Sequence, residues 1–201
     1  MATMTPTTAD AISTLYSNIR FAAEDQPIRS VVITSATAGE GKTFVALHLA
    51  TAMAQSGKKT LLVDANFHAP ALAAQLGVGD AKGLAEVADG LSLSDAVSPT
   101  SVDGLFYLGN GKGTPVPADL FGTMACADAL KKATFAYDYV VIDTPALDPY
   151  IDAAVLASQA DATVLVVCHH GVPRDAVKAA SDQLTKAHAR VIGVVMNRCE
   201  D

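Results

Sequence analysis

A glycine-rich run, Ala36-Thr37-Ala38-Gly39-Glu40-Gly41-Lys42-Thr43, contains the residue types that bind phosphate. Val31-Val32-Ile33 before it is typical of a buried strand, and Lys42-Thr43 opens an amphipathic helical pattern. A glycine loop in this context can turn its backbone N–H groups inward, and the helix N-terminus adds a partial positive charge. The run matches G-x-x-x-x-G-K-[ST], except that Ala36 stands at the first glycine position. We predict a phosphate-binding P-loop; the alternative is a glycine-rich turn with a chance Gly-Lys-Thr.

Each residue of this loop has an expected role in holding a nucleotide. Lys42 is expected to reach the β- and γ-phosphates of ATP, and the Thr43 hydroxyl is expected to ligate magnesium. Lys42 is then a catalytic residue, because its cation neutralises charge on the transferred group. The predicted nucleotide-binding set is Ala38, Gly39, Glu40, Gly41, Lys42, Thr43 and Phe44.

Two aspartates stand at the ends of predicted strands. Asp143 follows Val140-Val141-Ile142, which is the Walker B arrangement, and it is expected to hold magnesium directly or through water. Asp64 follows Leu61-Leu62-Val63 in the same way. We predict that Thr43, Asp64 and Asp143 are metal ligands and that both aspartates are catalytic, one holding the metal and the other taking a proton or a water. The alternative for Asp64 is a helix N-cap.

Apolar strand patterns alternate with alanine-rich helical patterns along the chain. This alternation predicts an α/β fold: a mostly parallel central sheet with helices on both faces, of the P-loop NTPase type. We expect one domain over residues 1–201, with a loose segment at 1–6 and an irregular stretch from Asp80 to Gly113. The predicted strands are Ser30–Ser35, Thr60–Val63, Gly104–Leu108, Tyr139–Ile142, Ala162–Cys168 and Val191–Met196. The predicted helices are Thr8–Ala23 with Thr8 as its cap, Thr43–Gln55, Ala118–Ala133, Asp152–Ser158 and Pro173–Ala187.

Composition and charge exclude several classes of protein. Hydrophobic residues make up 50% of the 201 residues, which is a globular composition. The net charge of -7 argues against broad nucleic-acid binding, which depends on Lys and Arg. The longest apolar runs, such as Val164–Cys168, are too short to span a bilayer. Cys126, Cys168 and Cys199 form no disulfide framework, and no signal peptide is evident, so we expect a cytoplasmic protein.

The run Cys168-His169-His170 is another place where the residue types could do chemistry. Zinc takes about four ligands, and the sequence offers no matching set. We therefore interpret the run as the end of a strand and not as a metal site.

The chain resembles the bacterial tyrosine kinases of capsule and exopolysaccharide synthesis, from about Asp10 to Cys199. These kinases sit in the wider class that includes ParA, MinD and the nitrogenase iron protein. ParA- and MinD-type proteins carry a signature lysine where this chain has Thr37, and this difference favours the kinase branch. The resemblance rests on Thr34-Ser35-Ala36 with Gly39–Thr43, on Leu61–Asp64 with Pro70, and on Tyr137–Pro145, with softer matches at Gly83–Val87, Asp152-Ala153 and Ile192–Asn197.

The resemblance implies an ATP- and magnesium-dependent protein-tyrosine kinase. Lys42, Thr43 and Asp143 keep the roles given above, and Asp64 helps to coordinate magnesium and can activate the tyrosine hydroxyl. It also implies a membrane-bound polysaccharide co-polymerase that recruits and activates the protein at the inner face of the plasma membrane. No contact with nucleic acid and no membrane span of its own are expected.

Two departures from the family fall beside Asp64. Asn66 stands where the family has a second acidic residue, and His68 stands where it has an arginine. Asn66 keeps an oxygen but loses the charge, which weakens metal binding or the strength of the base. This departure favours the alternative function, a P-loop ATPase that acts as a nucleotide switch without kinase activity. A ParA-like DNA-partitioning ATPase is disfavoured by Thr37 and by the acidic pI.

Two further departures concern self-association and self-phosphorylation. The glutamate and two arginines that build the family's ring align with Asp10, Ser13 and Tyr16, so we expect a monomer or a small oligomer of the protein with itself. The sequence stops at Glu200-Asp201 without the family's tyrosine-rich tail, so we expect little autophosphorylation.

The tyrosines divide into two groups. Tyr107, Tyr137 and Tyr139 lie in or beside predicted strands and are expected to pack there, whereas Tyr16 and Tyr150 are predicted to be the exposed acceptor candidates.

Overall fold

The computed structural model of the protein describes residues 5–24, 26–79, 82–113, 116–169 and 171–198. Its helices are α1 (Pro6–Ala22), α2 (Lys42–Gln55), α3 (Leu72–Leu76), α4 (Leu84–Ala88), α5 (Leu93–Ala96), α6 (Pro117–Phe121), α7 (Met124–Ala136), α8 (Asp152–Gln159) and α9 (Arg174–Lys186). Its strands are β1 (Ser30–Ser35), β2 (Thr60–Asp64), β3 (Ser98–Pro99), β4 (Leu105–Leu108), β5 (Tyr139–Asp143), β6 (Ala162–Cys168) and β7 (Val191–Asn197).

The strands form one seven-stranded sheet in the order β3-β4-β2-β5-β1-β6-β7. Only the short strand β3 runs antiparallel to its neighbour among these strands, and the other pairs are parallel. Strands β1, β2, β5 and β6 are buried almost throughout, as their continuous apolar runs predict for strands covered on both faces. The predicted α/β fold with a mostly parallel sheet is confirmed.

Helices cover both faces of this sheet. Ile19 of α1 and Met53 of α2 belong to the core on one face, together with α3. Leu130 of α7 and Leu156 of α8 belong to the core on the opposite face, together with α4, α5, α6 and α9. Full burial of a side chain of this size stabilises the fold by about 1.5–3 kcal/mol. Packing on both faces therefore fixes the central strands and the edge of the sheet at which their carboxyl ends lie. Among the described helices, none has the length and apolar character needed to cross a lipid bilayer.

The start of α1 differs from the prediction. The helix begins at Pro6 and not at Thr8, because the Thr5 side chain caps it by accepting the Thr8 N–H at 3.2 Å. Proline suits the first turn, where its missing N–H costs nothing. Thr5 and Pro6 thus belong to an ordered helix start, and the remainder of the predicted loose segment, 1–4, lies outside the described residues.

The middle of the chain also differs from the prediction. The single helix predicted over Ala118–Ala133 is two helices, α6 and α7, because the Thr123 side chain caps α7 by accepting the Cys126 N–H at 3.2 Å. The stretch predicted to be irregular, Asp80–Gly113, contains α4, α5, β3 and β4. Helix α2 is buried on most sides and not amphipathic, because it lies between α1 and the sheet.

Candidate active site

The P-loop connects the end of β1 to the start of α2. Gly39 and Gly41 have φ angles of 83° and 91°, a left-handed conformation that glycine adopts at no steric cost. A Cβ at Gly41 would also collide with the side chain of Asn197. The Gly41 carbonyl accepts the Val45 N–H at 3.0 Å and so begins α2. The glycines identified in the sequence are therefore required by the shape of this loop.

The Glu40 side chain braces the loop from within. One carboxylate oxygen accepts the Thr37 N–H at 2.5 Å and the Thr37 hydroxyl at 3.1 Å, and the other accepts the Cys168 N–H at 3.0 Å. The side-chain amide of Asn197 donates to the Glu40 carbonyl at 2.8 Å. The sequence predicts Glu40 to be a nucleotide contact, but its carboxylate is buried and engaged by the protein. The carboxylate therefore stabilises the loop from the protein side.

The sheet brings Asp64 and Asp143 side by side. They are register partners on the neighbouring parallel strands β2 and β5, which places their Cα atoms about 4.8 Å apart. Asp143 is also the register partner of Ile33 in β1, the strand that leads into the P-loop. Both aspartates are buried, at 0% and 1% exposed. The structure thus brings both carboxylates to the edge of the sheet that the P-loop occupies.

Asp143 is electrostatically coupled to the start of α2. Burial raises the pKa of Asp143 to about 7; the Thr43 hydrogen bond lowers it, the Asp64 carboxylate raises it, and the Lys42 cation lowers it. Within the described part of the chain, Asp143 Oδ1 has no hydrogen-bond partner. Leaving a buried polar atom unpaired costs about 1–3 kcal/mol, and more for a charged group. Carboxylate and hydroxyl oxygens are the ligands that magnesium prefers, so Asp143, Asp64 and Thr43 fit such a site.

Asp64 is held by the loop that follows it. Its two carboxylate oxygens accept the Asn66 N–H at 3.0 Å and the Leu72 N–H at 3.4 Å. Leu72 is the first residue of α3, so the carboxylate also contacts the start of that helix, but the N-cap residue is Ala71 and not Asp64, which was the alternative role considered for it. These two contacts hold the Asp64 carboxylate at the carboxyl edge of the sheet.

Comparison with known proteins places the chain among relatives. A family model described as the CobQ/CobB/MinD/ParA nucleotide binding domain matches residues 31–201. The tyrosine-protein kinase YwqD of Bacillus subtilis is 34% identical over 185 residues, which are 92% of this chain and 78% of that protein. The chimerical protein CapA2B2 has a solved structure with a TM-score of 0.92 and 30% identity, covering 98% of this chain and 87% of that one. The kinase domain of the Escherichia coli tyrosine kinase ETK gives a TM-score of 0.89 at 27% identity, covering 96% and 78%.

The chain belongs to the bacterial tyrosine kinase family, within the CobQ/CobB/MinD/ParA nucleotide-binding class.

Both family departures beside Asp64 have a structural role in this member of the tyrosine kinase family. The Asn66 side-chain oxygen accepts the Ala69 N–H at 3.2 Å, so it is directed into its own loop. His68 Nε2 lies 2.7 Å from Asp152 Oδ2, and its ring is stacked on Tyr150 with centroids 3.5 Å apart. The sequence identified both positions, but it gave no signal for the partners of His68.

The structure shows the surroundings of the two tyrosines that were predicted to be exposed acceptors. The prediction that Tyr16 is exposed was wrong: it is 9% exposed, its hydroxyl accepts a hydrogen bond from Ser56 at 3.2 Å, and its ring meets Tyr139 edge-on. Tyr150 is half-buried against His68. Tyr107 is buried in β4, as predicted for a strand residue.

A cavity of about 520 Å³ lies beside the P-loop in this tyrosine kinase family member. Gly41 and Phe44 of the P-loop and α2 line one side, α1 lines another, and Asn197 and Arg198 at the end of β7 close it. The sequence predicts Phe44 as part of the nucleotide site but not Asn197, whose only signal was the soft family match at Ile192–Asn197.

Strand β6 ends at Cys168, in line with the interpretation of this run as the end of a strand. The His169 N–H donates to the Asn197 carbonyl at 2.9 Å, which ties this end to β7. Among the residues that the structure describes, no group of three or more His, Cys, Asp or Glu side chains is placed to hold a metal ion. His170, Cys199 and Glu200-Asp201 lie outside the described residues.

Proposed function

We propose that this protein is an ATP-dependent protein-tyrosine kinase of capsule and exopolysaccharide biosynthesis. The observation that carries the proposal is the placement of Asp64 and Asp143 as register partners beside the P-loop. This arrangement occurs in a chain whose relatives include the tyrosine-protein kinase YwqD of Bacillus subtilis and the E. coli tyrosine kinase ETK.

The nucleotide is proposed to bind along the P-loop. Backbone N–H groups from Ala38 to Thr43 receive the phosphates, and Lys42 contacts the β- and γ-phosphates. The base enters the cavity of about 520 Å³ beside Phe44, where Asn197 and Arg198 offer polar groups to it. The unpartnered Oδ1 of Asp143 supports magnesium binding by Thr43, Asp143 and Asp64. When bound, magnesium would neutralise charge on the phosphate oxygens.

In the proposed transfer step, the phenol oxygen of an acceptor tyrosine attacks the γ-phosphorus in line. The bond from the γ-phosphorus to the β,γ-bridging oxygen breaks, and ADP leaves with that oxygen. Asp64 accepts the phenol proton, since its carboxylate is fixed by backbone N–H groups at 3.0 and 3.4 Å. Lys42 stabilises the charge that builds on the transferred phosphoryl group. The phosphate therefore ends on tyrosine and the proton on Asp64, from which it returns to solvent.

The partner and location follow from the family resemblance as proposals. A membrane-bound polysaccharide co-polymerase would recruit and activate the kinase from the cytoplasm at the inner face of the plasma membrane. The protein would not act on nucleic acid, given its net charge of -7.

A phosphate-transfer assay tests the proposal. The protein is incubated with magnesium and γ-labelled ATP, a tyrosine peptide and the cytoplasmic segment of the co-polymerase, followed by phosphoamino acid analysis. We expect label on tyrosine, and a loss of at least about 100-fold in Lys42→Met, because one electrostatic contact to the transition state is worth that much. Equal transfer by Lys42→Met and the unmodified protein would contradict the P-loop mechanism.

One observation favours a second function, a nucleotide switch without kinase activity. The Asn66 side chain that replaces a family carboxylate is a neutral amide, and its oxygen accepts the Ala69 N–H at 3.2 Å within its own loop. In the same assay, ATP hydrolysis with no label on tyrosine would support the switch.

A further inference from the structure

His68, Tyr150 and Asp152 form a cluster outside the P-loop. His68 belongs to the loop after β2, Tyr150 belongs to the segment between β5 and α8, and Asp152 is the first residue of α8. The ring of His68 is stacked on that of Tyr150, with centroids 3.5 Å apart and planes 14° apart, and its Nε2 lies 2.7 Å from Asp152 Oδ2. The cluster therefore joins two segments that are 84 residues apart along the chain.

This cluster lies at the rim of the phosphate-transfer site. Both segments leave the carboxyl edge of the sheet, next to the register pair Asp64 and Asp143. His68 is four residues from Asp64, which limits the distance between their Cα atoms to about 14 Å. The loop also turns back on Asp64, because the N–H groups of Asn66 and Leu72 on either side of His68 both donate to the Asp64 carboxylate.

The ring of His68 is held by Asp152, and the rings of His68 and Tyr150 are both partly exposed. The Asp152 side chain is 4% exposed, whereas that of His68 is 27% exposed and Tyr150 is half-buried. Rotation of the His68 ring would break both the contact with Asp152 and the stack on Tyr150. The pair is therefore a preorganised aromatic surface, which we call the aromatic wall (His68 and Tyr150).

We propose that the acceptor tyrosine packs its ring against the aromatic wall, and that Asp152 acts as a positioning residue for His68. This inference rests on the proposed kinase function and names how that same site takes its second substrate. Aromatic rings attract one another in offset-stacked or edge-on arrangements, with a gain in binding of about twofold to tenfold per pair. A serine or threonine acceptor has no ring to pack, so the wall selects for tyrosine.

The test measures steady-state phosphotransfer to a synthetic peptide with one tyrosine and to the same peptide with serine. In His68→Ala and Tyr150→Leu, the KM for the tyrosine peptide is expected to rise about threefold to tenfold, with the KM for Mg-ATP changed less than twofold. Tyr150→Phe keeps the ring and is expected to keep the tyrosine preference. Asp152→Asn is expected to raise the same KM, because the amide binds His68 more weakly than the carboxylate does.

Phe135→Ala is the matched control, since Phe135 is a 74% exposed aromatic residue at the opposite edge of the sheet, beside the starts of β1 and β2. Thermal unfolding of each variant confirms that it is folded. If Tyr150→Leu matches Tyr150→Phe, or if the KM for Mg-ATP rises as much as that for the peptide, the wall is only a structural link and the inference is overturned. If the unmodified protein hydrolyses ATP but labels no tyrosine, the proposed function itself fails and the inference fails with it.

Discussion

The internal brace of the P-loop gives the sharpest prediction. Glu40→Ala removes a buried carboxylate that accepts the N–H groups of Thr37 and Cys168. Each buried N–H group left without an acceptor costs about 1–3 kcal/mol. Because both hydrogen bonds to the carboxylate are only partly buried, we take the lower half of that range, about 1–2 kcal/mol, for each N–H group. The expected loss in the free energy of unfolding is about 2–4 kcal/mol.

The same substitution is expected to weaken nucleotide binding. The brace holds the loop in its binding conformation, and apparent affinity falls in proportion to the population of that conformation. If about 1.4 kcal/mol of the loss appears as loop disorder, the Kd for Mg-ATP rises about tenfold. Urea unfolding followed by circular dichroism measures the stability, and calorimetric titration measures the Kd.

Glu24→Ala is the matched control, since Glu24 is an exposed glutamate outside the loop. It is expected to change neither quantity beyond about 0.5 kcal/mol, as is usual for surface sites. A Glu40→Ala protein with the stability and the Kd of the Glu24→Ala protein would refute the bracing role.

Three further predictions concern catalysis, stability and the pH dependence of stability. Asp64→Asn is expected to lower the kcat of phosphotransfer about 100-fold or more, as for the loss of a general base, whereas Asp143→Asn is expected to act mainly on the KM for Mg-ATP. If Asp64→Asn has equal and small effects on kcat and KM, Asp64 contributes only its contact with the start of α3. Asp161→Ala is expected to cost about 1–3 kcal/mol in urea unfolding, because its Oδ2 accepts two N–H groups at 2.8 Å and a hydroxyl at 2.9 Å, while the exposed Asp182→Ala changes little. Slight burial raises the pKa of Glu86, but several backbone N–H donors hold the pKa below its ordinary value of 4.5. The contribution of Glu86 to the free energy of unfolding is therefore present above pH 4.5 and is lost as the pH falls through the lowered pKa. In urea unfolding, the stability of Glu86→Gln is expected to fall less steeply below pH 4.5 than that of the unmodified protein.

The sequence was sufficient to predict features that depend on local patterns. The parallel strands are continuous apolar runs, and the P-loop needs its two glycines at positive φ. Asp64 and Asp143 each end such a run, so placing them on the same edge of the sheet required only the parallel arrangement. Helix caps were harder to predict from the sequence, because Thr5 and Thr8 are chemically equivalent and only the backbone conformation decides which one caps α1.

Contacts between distant segments could not be predicted. Glu40 was assigned to the nucleotide from its place in the motif, but its carboxylate reaches Cys168, 128 residues away. The partners of His68 lie 82 and 84 residues further along the chain. Tyr16 was predicted to be exposed, but packing against Tyr139 and the end of α2 buries it. Such pairings depend on how the loops meet above the sheet, which hydrophobic periodicity does not encode.

The destination of the γ-phosphate tests the central claim most directly. The protein is incubated with Mg-ATP and the tyrosine peptide, and the phosphotyrosine formed is compared with the ADP formed, by mass spectrometry and chromatography. The proposed kinase predicts that phosphotyrosine accounts for most of the ADP and that both products are lost in Lys42→Met. ADP formation that depends on Lys42 but yields no phosphotyrosine would contradict the kinase and leave a nucleotide switch.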